Sequence, residues 1–123
     1  MTGREISALV GLKPWISNDV GERRRSPKGA PGEGTYDRSY CCYELAEGND
    51  AALVKSLSRW NNYFSKRRGK LRRLTRGGGR LEYYLGLHIK SNGGLELPAE
   101  LLEEAGRSGI RLALDIYGGE AAG

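Results

Sequence analysis

The chain has 123 residues, of which 38% are hydrophobic and 28% are charged, a composition typical of one globular domain. No apolar run approaches the roughly 20 residues that cross a membrane, and the first residues lack the basic start and apolar core of a signal peptide. We therefore expect a single domain over residues 1–123 that resides in the cytoplasm and does not enter a membrane.

The net charge of +5 conceals a segregation of charge along the chain. Residues 1–50 carry seven basic and eight acidic groups, residues 51–80 carry ten basic and no acidic groups, and residues 81–123 carry three basic and seven acidic groups. This distribution either attracts an anionic partner or is neutralised internally by the acidic C-terminal part.

The N-terminal residues predict a short helix. Thr2 and Glu5 have the spacing of a capping box, in which each side chain bonds to the backbone of the other residue. Gly11 provides a left-handed stop for this helix. We expect Trp15 and Ile16 to pack the helix and the following loop onto the main body of the domain.

Residues 17–35 are rich in Gly, Pro and Arg and show no periodicity, so we predict a mobile basic loop. The cations at its centre are Arg23, Arg24, Arg25 and Lys28. The chain then becomes rich in Tyr and Cys over residues 36–45, which predicts a strand.

The stretch 51–79 holds the longest helical pattern and predicts the element around which the fold is organised. Its apolar residues recur mostly in steps of three and four, which places them on one stripe of a helix. They are Leu53, Leu57, Trp60, Phe64, Leu71 and Leu74. Arg67 interrupts the stripe, so it either pairs with an acid or marks where the helix leaves the core. Gly69 predicts a kink or a break, and the glycines from Gly77 onwards end the helix.

The C-terminal part predicts a strand, a short helix and a second strand. Apolar and polar residues alternate over residues 81–90, as in a half-buried strand. The helix opens at Pro98, and its inward residues are Leu101, Leu102 and Ala105. The second strand covers residues 110–117, with a buried face made of Ile110, Leu112, Leu114 and Ile116. Residues 118–123 are expected to form a disordered tail.

These elements predict an α+β fold. We expect a single small domain with a mainly antiparallel sheet of three to five strands. The long basic helix and the shorter helices should cover one face of this sheet.

No residue pattern predicts catalysis, a metal site or a cofactor. Cys41 and Cys42 are adjacent, which strains a disulfide between them, so two packed thiols are favoured over a vicinal redox pair. A chain with a single histidine has no set of zinc ligands. His88 has no nucleophile or carboxylate at a spacing that makes it a catalytic partner, and Asp115 is expected to make a structural hydrogen bond.

The basic residues that follow Ser65 are the main candidates for binding an anion or a partner. The candidate residues are Lys66, Arg67, Arg68, Lys70, Arg72, Arg73, Arg76 and Arg80, together with Arg23, Arg24 and Arg25. Combined with stacking by Trp60, Tyr63 and Phe64, they would form a phosphate-binding face. The favoured alternative is a solvated helix face with Trp60 and Phe64 in the core. Glu100, Glu103 and Glu104 are then available as internal partners for its charge.

Three phrases of the chain are EISALVGLKP, GGRLEYYLGLHI and, above all, GGLELPAELLEEAGRSGIRLALDIY. They resemble the bacterial domain-of-unknown-function family 4279, whose members close with a capped helix and a strand ending in Asp-Ile-Tyr. The resemblance covers most of the chain and is weakest over residues 17–35. It implies an α+β fold and a bacterial or phage origin, and it supplies no catalytic residues.

The chain departs from this family at two places. Members carry a further strand before the first helix, for which residues 1–3 leave no room, and they carry a tryptophan where residues 40–43 stand. Either the chain starts late or another sheet edge fills the place of the missing strand. A second copy, in a homodimer through a free sheet edge, is one source of that edge.

We therefore expect a non-enzymatic interaction module of bacterial or phage origin that binds a macromolecular partner. The partner expected first is a protein, as for inhibitor and immunity-type proteins. The alternative is a DNA- or RNA-binding protein that uses the basic helix face of residues 66–80 and the loop of residues 23–28. An enzyme would need convergent polar groups in a pocket, which the sequence does not show.

Overall fold

The computed structural model describes residues 1–25, 31–45, 50–89 and 95–118. Its helices and strands confirm the α+β class. The chain divides into two compact units, Met1–Leu45 and Ala46–Gly123, where the sequence predicts a single domain. No helix in the described ranges is long and apolar enough to cross a membrane.

The first unit begins with helix α1, Gly3–Val10. The Thr2 hydroxyl accepts from the Glu5 amide at 3.2 Å, and the Glu5 carboxylate accepts from the Thr2 amide at 2.9 Å. The predicted capping box is therefore confirmed. Gly11 ends the helix with a φ of 82°, a left-handed conformation that suits glycine because it has no Cβ.

Four short strands follow α1 and form two antiparallel pairs. Strand β1, Ile16–Asn18, pairs with β4, Tyr40–Cys42, and β2, Arg23–Arg25, pairs with β3, Pro31–Thr35. The described part of residues 17–35 thus includes parts of β1, β2 and β3, where the sequence predicted a mobile basic loop, and residues 26–30 lie outside the described ranges. The sequence did not predict β2 and β3 because neither strand alternates apolar and polar residues. Only the pairing of their backbones identifies them as strands.

Polar contacts join α1 to β4 and to the residue that follows it. The Ser7 hydroxyl donates to Cys41 Sγ at 3.8 Å, the Ser7 and Tyr43 hydroxyl oxygens lie 2.8 Å apart, and burial raises the pKa of Tyr43 to about 12. Trp15 was expected to pack inward, but its side chain is 69% exposed, and Ile16 is 39% exposed. That prediction is wrong because Trp15 is held by its backbone, whose amide donates to the Cys42 carbonyl at 2.7 Å.

The second unit contains helix α2, Asp50–Ser65, helix α3, Arg68–Arg76, strand β5, Leu81–Ile89, helix α4, Ala99–Arg107, and strand β6, Ile110–Gly118. The long basic helix is therefore divided at Arg67, whose φ of −119° and ψ of 15° leave the helical region. The break lies where the apolar stripe is interrupted, whereas Gly69 lies within α3. Helix α3 ends at Arg76, directly before Gly77, as predicted.

The apolar stripe of the basic stretch forms much of the core of this unit. Leu57, Phe64, Leu71 and Leu74 are buried, and Leu53 and Trp60 are half-buried. Other buried side chains come from β5, α4 and β6, namely Tyr83, Leu85, Leu101, Ala105 and Ile110. The prediction of the stripe is confirmed. Leu102 was expected to face inward but is 44% exposed, because it lies one position off the buried stripe of α4.

Strands β5 and β6 pair in parallel and in continuous register, from Leu81 opposite Ile110 to Ile89 opposite Gly118. The described strands form three two-stranded sheets, two antiparallel and one parallel, instead of one mainly antiparallel sheet of three to five strands. The direction of the third pair follows from α4, which serves as the crossover that a parallel connection requires.

The apolar side of β6 is covered only at its beginning. Ile110 is 8% exposed and Leu112 is half-buried, whereas Leu114 is 51% exposed and Ile116 is 57% exposed. The predicted buried face is therefore wrong for these last two residues, because helical cover ends midway along β6. Of the predicted tail, Gly118 belongs to β6, and residues 119–123 lie outside the described ranges.

A buried amide connects three elements of the second unit. Asn61 of α2 is 3% exposed; its Nδ2 donates to the Leu101 carbonyl of α4 at 3.0 Å, and its Oδ1 accepts from the Tyr83 hydroxyl of β5 at 2.9 Å. Burial raises the pKa of Tyr83, so its hydroxyl stays protonated and continues to donate.

We predict that Asn61→Ala lowers the free energy of unfolding by about 1–3 kcal/mol, because the buried Tyr83 hydroxyl loses its acceptor. Tyr83→Phe should also destabilise the protein, and the double variant should lose less than the sum of the two losses. Urea unfolding measures all three values, with the exposed neighbour substitution Asn62→Ala as the control, expected within about 0.5 kcal/mol of the parent. Strict additivity of the two losses would show that the amide and the hydroxyl are not coupled.

Candidate partner-binding surfaces

Six of the eleven candidate cations lie exposed on helix α3 or directly beside it. Leu71 and Leu74 face the core, so the intervening residues and those on the opposite side of the helix point outward. The exposed basic residues are Lys66, Lys70, Arg72, Arg73, Arg76 and Arg80. These six residues are called the basic surface below.

Arg67 and Arg68 differ from the other candidates. The Arg68 guanidinium donates to the Glu104 carboxylate at 2.8 Å and to the Ser108 hydroxyl at 3.0 Å, and its side chain is only 23% exposed. Arg68 therefore fastens α3 to the end of α4. Arg67 is half-buried, with its guanidinium carbon 5.7 Å from the centre of the Tyr63 ring, a cation–π contact.

Internal neutralisation accounts for little of the positive charge. Glu104 pairs with Arg68, and Arg107 lies 2.6 Å from Glu103 and 3.5 Å from Glu104. Within the described ranges, no carboxylate forms an ion pair with any residue of the basic surface. The expected balancing by an acid of α4 is thus seen at Arg68, whereas the carboxylates that the structure describes leave the basic surface without an ion pair.

The aromatic residues near the basic surface pack against one another. The Trp60 and Tyr63 ring centroids are 5.4 Å apart, those of Tyr63 and Phe64 are 5.0 Å apart, and Phe64 is 7% exposed. Phe64 also contacts Tyr83 of β5, with 6.3 Å between the ring centroids. Phe64 therefore lies in the core, as the favoured alternative predicted, whereas Trp60 is only half-buried.

Arg23, Arg24 and Arg25 lie on β2 in the first unit and are exposed. The Arg23 Nε donates to the Gly32 carbonyl at 3.2 Å, and the Arg24 Nε donates to the Thr35 carbonyl at 3.1 Å. These two arginines therefore reinforce the pairing of β2 with β3. Lys28 lies outside the described ranges.

The face of the β5–β6 sheet that is opposite its apolar side carries a cluster that the sequence did not predict. The His88 ring stacks on the Tyr117 ring at 4.7 Å with 15° between their planes. Asp115 Oδ2 accepts from the Tyr117 hydroxyl at 2.8 Å and also from the Tyr84 hydroxyl. The expected structural hydrogen bond of Asp115 is confirmed. Tyr84 and His88 lie far from Asp115 in sequence, so only the parallel register brings the cluster together.

Hydrogen bonding shifts the titration of this cluster. The bonds from Tyr84 and Tyr117 stabilise the carboxylate and lower the pKa of Asp115. The same bond raises the pKa of Tyr84, because its hydroxyl must remain protonated to donate. Asp115 is thus a charged acceptor at neutral pH, already engaged by two hydroxyls.

The described ranges contain no group of three His, Cys, Asp or Glu side chains placed to hold a metal ion. Cys41 and Cys42 are free, half-buried thiols, and Cys41 donates to the Gly3 carbonyl at 3.4 Å. A depression of about 420 Å³ lies beside α1, but Asp19 and Glu22 in its lining already accept from the backbone amides of Gly3 and Asp19. These groups do not converge on a site for a substrate.

We predict that Arg68→Ala and Arg72→Ala differ in their effect on stability. Arg68→Ala removes the contacts with Glu104 and Ser108 and should lower the free energy of unfolding by about 1 kcal/mol. This value allows for screening of the ion pair by solvent. Arg72→Ala removes an exposed cation and should stay within about 0.5 kcal/mol of the parent. Urea unfolding of the two variants makes the comparison. Equal losses would contradict the division between a structural arginine and the basic surface.

We also predict that Tyr84→Phe raises the pKa of Asp115 toward its ordinary value, because the carboxylate loses a hydrogen bond. Carboxyl chemical shifts followed by NMR through a pH titration measure the change. Tyr40→Phe, which alters an exposed tyrosine of the first unit, is the control and should leave Asp115 unchanged. An unchanged Asp115 pKa in Tyr84→Phe would refute the bond.

Comparison of the chain with models of known protein families, with curated proteins and with solved structures finds no match. The resemblance to the domain-of-unknown-function family 4279 therefore stays a prediction from the sequence.

Proposed function

We propose that this chain is a non-enzymatic interaction module that binds an acidic surface of a protein partner through its basic surface. One observation carries the proposal: six exposed cations on and beside α3 have no ion-pair partner in the described ranges, while Glu103 and Glu104 are engaged by arginines. The sequence favours a module that acts as an inhibitor or immunity-type protein.

The composition and rigidity of the basic surface suit a carboxylate-rich partner. Four of its six residues are arginines, whose planar guanidinium groups bind carboxylates through two parallel hydrogen bonds. Helix α3 is anchored on its inner side by Leu71 and Leu74 and at its start by Arg68, so the outward side chains project from a fixed backbone. A fixed array lowers the entropy cost of binding.

Nucleic-acid binding is the second candidate, because residues 51–80 lack acidic groups altogether and their arginines would suit phosphates equally well. The packing of Trp60, Tyr63 and Phe64 with one another argues against single strands, whose recognition relies on aromatic side chains that stack with bases. If the protein binds nucleic acid, the geometry favours a double-stranded molecule that the arginines contact through its phosphates alone.

The test compares two triple charge reversals that change net charge equally. Substitution of Arg72, Arg73 and Arg76 by Glu alters the basic surface, whereas substitution of Arg4, Arg38 and Lys55 by Glu alters exposed cations elsewhere. Affinity capture from a bacterial lysate should recover a protein partner with the parent and the second variant but not with the first. Recovery of the same partner by both variants would refute the basic surface as the binding site.

Titration with duplex DNA and RNA separates the two candidates. If six phosphates are neutralised, affinity should fall about a thousandfold between about 50 and 200 mM salt. Absence of binding at low salt would eliminate the nucleic-acid candidate. Tight, salt-sensitive binding that the first triple variant loses, without capture of a protein, would replace the first candidate by the second.

A further inference from the structure

Strand β6 has the features of an unprotected edge. It is nine residues long and pairs with β5 without a bulge, and its other edge pairs with no strand in the described ranges. It contains no proline, and its outer half carries the exposed Leu114 and Ile116. Edge strands are normally blunted by bulges, prolines or inward charges, because bare edges pair with other chains.

The β5–β6 pair is also incomplete as a sheet. Parallel sheets occur almost only where both faces are covered, and sheets with fewer than three strands are marginal. Here Tyr84 is 64% exposed on one face, and Leu114 is 51% exposed on the other. An added strand along β6 would extend the sheet and place its side chains beside the exposed apolar residues.

We propose that the strand added to β6 is β6 of a second copy of this chain, antiparallel and centred so that the two Ala113 residues lie opposite each other. The result is a twofold symmetric, four-stranded sheet in which each copy uses the same edge. The inference is independent of the basic surface and requires no other partner.

Apolar residues meet on the helix-covered side of such a sheet. Leu114 of one copy lies opposite Leu112 of the other, and Ile116 lies opposite Ile110. The exposed half of each β6 is thereby placed beside the half of its neighbour that α4 already covers, where Ile110 is 8% exposed. Direct cross-strand contacts of this kind stabilise antiparallel pairs.

Charge on the opposite side selects the register. Centring on Ala113 places Arg111 of each copy opposite Asp115 of the other, which forms two ion pairs across the axis. A shift by two residues in either direction places Arg111 opposite Tyr117 or Ala113, and the ion pairs are lost. Arg111 is exposed and has no ion pair in the described ranges, and Asp115 is held as a carboxylate on the same face.

Two charge variants test both the surface and the register. Arg111→Glu alone places Glu opposite Asp115, and Asp115→Lys alone places Lys opposite Arg111, so each should raise the dimer dissociation constant at least about tenfold. An equimolar mixture restores opposite charges in both pairs and should recover the dimer. Sedimentation velocity on the full chain measures the parent, both variants and the mixture, and circular dichroism checks that each variant is folded.

A second variant does not depend on Asp115. Opposite Cα atoms of an antiparallel pair lie about 4.5–5.5 Å apart, which suits a disulfide. Ala113→Cys, with Cys41 and Cys42 replaced by Ser, should therefore form a 113–113 disulfide between copies under mild oxidation, identified by mass spectrometry. Ala99→Cys in the same background is exposed on α4 and should remain largely unlinked.

A parent that stays monomeric at concentrations up to about 1 mM, with no 113–113 disulfide, overturns the proposal. Variants that dimerise as tightly as the parent show that another surface is used. A dimeric parent whose two variants fail to combine in the mixture refutes the register centred on Ala113.

Discussion

The second unit depends on the buried side chain of Asn61. An amide in an apolar core is costly unless both of its ends are paired, and here one end donates to α4 while the other accepts from Tyr83 of β5. Apolar packing alone would permit small rotations of α2 about its axis. The two hydrogen bonds of Asn61 are directional and restrict these rotations. Asn61 thereby sets how α2 faces the sheet and where α4 lies beside it.

The position of α4 in turn determines which cations are structural. The end of α4 presents Glu104 and Ser108 to Arg68, and this contact together with Leu71 and Leu74 fixes the rotation of α3. The remaining cations of α3 must then point away from the core. The same packing that satisfies Arg68 leaves the basic surface without an ion pair among the described residues, and the proposed binding role rests on this difference.

The helices cover the two strands unequally. Tyr83 and Leu85 of β5 are 5% and 4% exposed, whereas the end of β6 exposes Leu114 and Ile116 on one side and Tyr117 on the other. Strand β6 has nine residues and no bulge, and helices cover only its first half. It carries Arg111 and Asp115 four residues apart, so it is suited to antiparallel pairing with β6 of a second copy. The basic surface and the β6 edge are therefore two separate proposed sites for association, one for an anionic partner and one for a second copy.

Local patterns in the sequence determined the capping box at Thr2, the stop at Gly11, the apolar stripe from Leu57 to Leu74 and the alternating strands β5 and β6, because each depends on neighbours within a few residues. Tertiary structure alone decided the parallel pairing of β5 with β6 and hence the cluster around Asp115. It also decided that Arg68 pairs with Glu104 while Arg67 lies against the Tyr63 ring, and how far helical cover extends along β6. These features depend on contacts between residues about 30 to 40 positions apart, whose direction and register the periodicity of a single segment does not encode.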